Sequence, residues 1–153
     1  MNPAVFERGA VRALMSLPGA VLDKLSAGLE THSRSHLDSR LRFLLALSAA
    51  KPTLDSGTVE QARRLYRDVI NLLDVAPVSL PVVVDHQVSL DDGSQMRVRR
   101  YRPALAPRVA PAIMFMHGGG FTVGGVDEDD RLCRYIADRT NAVVLSVDYR
   151  LSP

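Results

Sequence analysis

The nine residues HGGGFTVGG, 117–125, stand directly behind the apolar run AIMFM, 112–116. Glycine has more backbone freedom to lose on folding than any other residue, so three in succession behind a strand need a chemical reason. Glycines in that place let the main chain approach a ligand closely and turn N–H groups where no side chain intrudes. One use is the phosphate cradle of a dinucleotide fold, which needs G-x-G-x-x-G opening a helix and an acid about 20 residues on. Here the spacing is Gly118-Gly119-Gly120 and then Gly124-Gly125. The next helical pattern starts behind Asp127, Glu128, Asp129 and Asp130, whose charges repel a pyrophosphate. The other use is an oxyanion hole, in which backbone N–H groups stabilise the oxygen that turns negative when an acyl carbon becomes tetrahedral. Spacing and charge both speak against the first use, and a glycine turn with only a packing role is the third reading.

The elements that must position the loop follow from the spacing of apolar residues. AIMFM is apolar throughout, as a strand covered on both faces would be. DDRLCRYIADRT (129–140) sets Leu132, Cys133, Ile136, Ala137 and Thr140 on one helical face, with Asn141 as an end signal. AVVLSVDY (142–149) is another continuous apolar strand, so strand, glycine turn, helix and strand form one βαβ crossover, an α/β architecture. Upstream, VVVDHQVSL (82–90), the turn DDGS (91–94) and QMRVRRYRP (95–103) spell a hairpin, and PRVAP (107–111) a loop. Before residue 77 the period is helical. Phe6, Ala10, Ala13, Leu14, Leu17 and Val21 recur at helical spacing with a break at Pro18. SHLDSRLRFLLALSAA (35–50) puts Leu37, Leu41, Leu44, Leu45 and Ser48 on one side. Thr58 and Gln61 form a capping-box pair ahead of the stripe Ala62, Leu65, Tyr66, Val69, Leu72 and Leu73, and Pro77 and Pro81 end helical territory.

A chain of 153 residues, 46% hydrophobic and 24% charged, can bury a core and is not of the disordered class. A net charge of +2 gives no reason to expect a nucleic acid or an acidic membrane as partner. Cys133 stands alone, which excludes an internal disulfide. The opening MNPAVFERGAVRALMSLPGAV carries Glu7, Arg8 and Arg12 and does not spell a secretory signal. The best apolar run, FLLALSAA (43–50), is too short to span a bilayer, so a cytoplasmic protein is expected.

With these elements in place, the chain resembles the hormone-sensitive-lipase family of α/β-hydrolases, the esterases and lipases that carry HGGGF and, one crossover later, DYRLAP. Here the motifs stand as HGGGFTVGG (117–125) and SVDYRLSP (146–153), in the family's order and separation. The resemblance implies a partial α/β-hydrolase fold. Residues 1–76 would be a helical cap-like segment and 77–153 the N-terminal part of the hydrolase core, with the C-terminal half absent. It implies an oxyanion hole built from His117, Gly118, Gly119 and Gly120, in which Gly118 and Gly119 donate and His117 anchors the turn. Asp148, Tyr149 and Arg150 would brace that loop from the neighbouring strand. One oxyanion donor is worth about 3–4 kcal/mol of transition-state stabilisation. The implied substrate is a small-molecule acyl ester, and no cofactor is implied.

The family's mechanism also needs a serine on a G-x-S-x-G elbow, then an aspartate, then a histidine. No serine of this chain has that setting. DGSQM (92–96) comes nearest, but it lacks the second glycine and precedes the H-G-G-G loop. Loss of the nucleophile costs about 10⁶ in turnover, so the chain alone is expected to be inactive, an N-terminal portion of a carboxylic ester hydrolase. Two other readings stay open: a non-catalytic remnant or interaction module, and a half-enzyme completed by a second chain that carries the C-terminal half.

The remaining polar residues have plainer readings. His32 and His36 have the i, i+4 spacing of zinc ligands, but without a third ligand they read as a solvated turn and not a metal site. His86 is expected to be a packed or surface residue. Arg97, Arg99, Arg100 and Arg102 lack interleaved aromatics, so they read as an exposed face and not an RNA surface. The acids Asp127–Asp130 are expected to cap a helix and complement its dipole. Cys133 belongs to the core. The amphipathic N-terminal segment could make weak contact with a lipid surface, although a plain cap helix is the simpler reading.

Overall fold

In the computed structural model of the chain, residues 9–11, 13–27, 37–49, 53–73 and 76–153 are described. They belong to two units, Met1–Thr58 and Val59–Pro153. The break falls ahead of a helix, whereas the change of hydrophobic period that sets a boundary at 76/77 lies behind it. Phe6, His32 and His36 fall outside the described residues.

In the first unit, Pro18 interrupts the helical pattern as its ring requires, and helix α1 (Gly19–Ser26) starts immediately after it. Helix α2 (Ser39–Ala49) opens behind Asp38, whose Oδ1 accepts the Arg40 amide at 2.9 Å. The two helices pack together, and an Arg42–Asp23 ion pair joins them. Leu22, Phe43 and Ala46 are buried, but Leu37 and Leu41, expected on the inner stripe, are exposed. The helix begins at Ser39, so Leu37 precedes its first turn, and the face that packs runs through positions 43 and 46.

In the second unit, helix α3 (Val59–Leu73) begins right after Thr58 and buries Ala62, with Leu65, Tyr66, Val69 and Leu72 half-buried. Strands β1 (Val82–Ser89) and β2 (Gln95–Arg102) form the expected hairpin, in register from Val82 opposite Arg102 to Ser89 opposite Gln95. Asp92 closes its turn by accepting the Ser94 amide at 3.0 Å. Strand β3 (Ala112–Met116), helix α4 (Asp130–Thr140) and strand β4 (Val143–Asp148) complete the crossover. The sheet order is β1-β2-β4-β3, with β4 antiparallel to β2 and parallel to β3. Asn141 ends α4 in the left-handed conformation, φ 54°.

The core lies between α4 and one face of this sheet. Tyr101, Cys133, Ala137 and Val144 are fully buried there, with Leu80, Val83, Ile113, Phe115 and Ile136 packed against them. Leu132 and Thr140, expected on the inner face of α4, are exposed. Leu132 lies a third of a turn off the Cys133–Ala137 seam, and the Thr140 hydroxyl turns back to donate to the Ile136 carbonyl at 2.7 Å.

Strand β3 departs from the expectation that both faces would be covered. Ile113 and Phe115 face the core, but Met114 and Met116 are each 66% exposed, because β3 is an edge strand with a described helix on one side only. Among the described residues no helix is long and apolar enough to cross a membrane.

Two outcomes follow from this packing. A flat apolar edge is a template for pairing with another chain, so the 153-residue chain should self-associate with concentration. Met114→Lys should suppress this in sedimentation velocity while changing stability by no more than about 0.5 kcal/mol, since the side chain is exposed. Burial pushes the Cys133 thiol up to about 11. A raised acid in the folded state holds its proton after the unfolded chain has released one. Stability from this group should therefore be complete below the ordinary thiol range and fall as pH rises from about 9 to 11, a slope that Cys133→Ala removes from the urea midpoint.

Candidate active site

The nine-residue loop leaves β3 at His117 and returns to α4 through the acidic run. Its shape rests on left-handed backbone at Gly119, Gly120, Phe121 and Gly124. Two of these positions admit only glycine. A Cβ on Gly119 would stand 2.0 Å from the Val123 carbonyl oxygen, and one on Gly124 would stand 2.5 Å from the Gly118 oxygen and 2.6 Å from His117 Nδ1.

Every carbonyl from His117 to Thr122 accepts a hydrogen bond. Tyr149 Oη donates to His117 O at 2.6 Å. His117 lies 2.8 Å from the Gly118 oxygen through Nδ1, which assigns that nitrogen the proton. Gly119 O accepts the amides of Thr122 and Val123, both at 3.1 Å. Gly120 O accepts the Thr122 hydroxyl at 3.3 Å, Phe121 O the Ser152 amide at 2.7 Å, and Thr122 O the Arg63 Nε–H at 2.9 Å. Among the described residues, by contrast, the amides of Gly118, Gly119 and Gly120 donate to no acceptor. A loop with its carbonyls tied and its amides free is a hydrogen-bond donor site.

The candidate residues therefore meet in one place, with one exception. His117, only 3% exposed, stacks on Tyr149 with ring centroids 4.2 Å apart and planes 8° from parallel. Phe121 meets the same ring edge-on at 5.8 Å. Asp148 reaches the far end of the loop, where its Oδ1 accepts the Val126 amide at 3.3 Å. Arg150 is the exception: its side chain pairs with Asp92 in the hairpin turn.

Two readings of charged residues are corrected. Asp129 holds the N-cap position of α4 but makes no side-chain cap bond. Asp127 and Asp130 instead answer Arg97 and Arg99 of β2, which are no exposed face. Arg97, 29% exposed, bonds Asp148 at 3.0 Å and Asp127 at 2.9 Å. Arg99, 16% exposed, bonds Asp85 at 2.6 Å and 2.9 Å and Asp130 at 3.2 Å. Burial pushes the Asp127 carboxyl up, yet the two guanidiniums outweigh it and hold the group below the usual range. Among the described residues Asp129 has no guanidinium partner, and burial raises it. A cleft of about 730 Å³ opens over this cluster, lined by Val83, Asp85, Arg99, Asp127, Asp130 and Arg134, and does not include the glycine loop. Among the described residues no group of histidines, cysteines and acids could hold a metal ion.

Sequence reasoning missed Arg63. It lies 59 positions before the carbonyl it bonds and carries no local pattern. Tyr66, one turn on, has its hydroxyl pushed up by burial and by the charges of Asp129 and Glu128.

A sheet of this order with a glycine loop leaving its edge strand defines an α/β-hydrolase core, and comparison with known proteins agrees. The family profile described as alpha/beta hydrolase fold matches residues 113–153. Carboxylesterase NlhH of Mycobacterium tuberculosis is 34% identical over 125 residues, covering 80% of this chain and 38% of that protein. Ethyl acetate hydrolase of Pseudomonas putida is 33% identical over 96 residues, 61% of this chain and 30% of that one. The structure of ester-hydrolase EH1AB1 from the metagenome of Lake Arreo, in complex with a bipyridine phosphonate derivative, superposes with a TM-score of 0.64. It is 26% identical and covers 88% of this chain and 38% of its own. The chain is similar to these α/β-hydrolase esterases and spans about two fifths of the length of the first of them.

Tyr149→Phe removes the bond to the His117 carbonyl and keeps the ring stack. It should lower stability by about 1–2 kcal/mol in urea denaturation, because a part-buried carbonyl loses its donor. Arg150→Ala, which breaks only an exposed pair, should cost at most about 0.5 kcal/mol and leave the loop resonances in place.

Proposed function

We propose that this chain supplies the oxyanion-binding part of a carboxylic ester hydrolase. The observation that supports it is the loop's division of labour: carbonyls 117–122 engaged and, among the described residues, amides 118–120 free. Such amides act where charge develops, on the carbonyl oxygen of an ester as its carbon turns tetrahedral, and their orientation costs nothing at the moment of reaction. His117 and Tyr149 hold the base of the loop, and Asp148 holds its return. The helices of the first unit belong to the cap in this reading.

The nucleophile, base and acid are not supplied by these residues. None of the serines stands in G-x-S-x-G, so the 153-residue chain turns over no ester by itself. The activity belongs to this chain together with a segment carrying those three groups. Short acyl esters are the proposed substrates, in line with the relative named ethyl acetate hydrolase. No cofactor is required, and the protein works in the cytoplasm.

The decisive experiment is in two parts. The purified chain should leave p-nitrophenyl acetate and butyrate at the buffer rate. The nucleotides behind codon 153, read in three frames, should spell a G-x-S-x-G block followed by an aspartate and a histidine. Joining that segment to residues 1–153 should create esterase activity that Gly119→Ala abolishes. Turnover by the chain alone, or a joined protein indifferent to Gly119→Ala, would overturn the proposal.

A further inference from the structure

The glycine loop is also addressed from α3, by a residue that neither motif contains. Arg63 Nε donates to the Thr122 carbonyl at 2.9 Å, and its Nη2 lies 3.4 Å from the Ser152 carbonyl. The first of these bonds stands at the head of one peptide relay, and the second holds the residue whose N–H starts another. In the first, the Thr122 carbonyl shares its peptide with the Val123 N–H, which donates to Gly119 O at 3.1 Å. In the second, the Ser152 N–H donates to Phe121 O at 2.7 Å. The Phe121 carbonyl shares its peptide with the Thr122 N–H, which donates to the same Gly119 oxygen, again at 3.1 Å. The Gly119 carbonyl in turn shares its peptide with the Gly120 N–H, and that amide is free. Both relays converge on one donor.

Hydrogen bonds in series polarise one another, and a charged donor makes the stronger bond. A guanidinium on the Thr122 oxygen draws electron density along the 122–123 peptide and makes Val123 a better donor to Gly119. The doubly bonded Gly119 carbonyl then leaves its own peptide N–H, that of Gly120, more acidic. The Nη2 contact holds Ser152 where the second relay can form.

We propose that Arg63 is a positioning residue for the oxyanion loop: through Thr122 and Val123 its guanidinium fixes the turn at Gly119 and strengthens the Gly120 N–H as a donor. The catalytic value of this rests on the ester-hydrolase reading above, whereas the relay itself does not. A purely structural arginine would fasten α3 to the loop without making the Gly120 amide depend on its charge. Lysine keeps the charge and a donor group, glutamine keeps a donor group without charge, and the pair separates the two roles.

The test is spectroscopic, on the full 153-residue chain labelled with ¹⁵N and ¹³C and carrying Met114→Lys to limit association. With Arg63 intact, scalar coupling should be seen across the hydrogen bond from Arg63 Nε to the Thr122 carbonyl carbon. Arg63→Gln should move the Gly120 amide proton upfield by more than that of Gly118, and Arg63→Lys should restore part of the shift. A missing coupling, or a folded Arg63→Gln chain whose Gly120 resonance has not moved, overturns the proposal. Should Arg63→Gln fail to fold, the coupling and the Arg63→Lys spectrum decide in the same sense. Turnover is read in none of these measurements, so failure of the ester-hydrolase reading and failure of the relay give different results.

Discussion

A backbone amide is available to a ligand only while the carbonyls around it are held by something else. That constraint organises the second unit. Left to itself, a run of three glycines would rotate its peptides and pair its own N–H groups with its own oxygens. Here each oxygen is claimed first. The claimants come from the end of β4 and beyond it (Tyr149, Ser152), from α3 (Arg63), and from inside the loop (His117, Thr122, Val123). The histidine that opens the motif serves this purpose twice. Its ring closes on the Gly118 oxygen, and its stacking on Tyr149 puts that hydroxyl beneath the His117 carbonyl.

The ion-pair cluster serves the same end from the other side of the sheet's end. Asp148 has two oxygens with separate tasks: Oδ2 takes Arg97, which leaves Oδ1 for the Val126 amide. Without Arg97 that carboxylate would carry an unbalanced, partly buried charge, and removing one member of such a set costs far more than the pair is worth in water. Arg99 binds Asp85 and reaches Asp127 and Asp130, and Asp130 also receives the Tyr101 hydroxyl at 3.0 Å and Arg134 at 2.6 Å. The acidic run thus ties the loop's exit to β1 and β2, and its complement of α4's dipole is incidental to that.

What the sequence discloses about this arrangement is whatever is encoded over a few residues. The hairpin 82–102 is visible because alternation and turn chemistry are local, as is Asn141, one of the few residue types that readily enters the left-handed conformation. The glycine loop is visible because its spacing has few uses. Arg97 and Arg99 deceive because alternation in a strand assigns a face but not a partner, and the partner acids lie on another element. Leu37 and Leu41 deceive because an isolated helical stripe does not reveal where the helix starts. Arg63 is invisible for the strongest reason: its place depends on where α3 lies against a loop formed much later in the chain.

Strand β3 bears two loads that could have conflicted. It launches the donor loop, and it is the sheet's edge, with one row of main-chain groups and two methionines unsupported. An edge is where a strand bends or frays most readily. A loop whose amides must hold their aim cannot depend on such a strand for its geometry, and this one does not. Its tethers run inward, to the β4 side of the sheet and to α3, within residues 59–153. The donors are therefore organised whatever becomes of the free edge, and in the proposed reading that is the condition under which fixed dipoles lower a barrier without first reorienting.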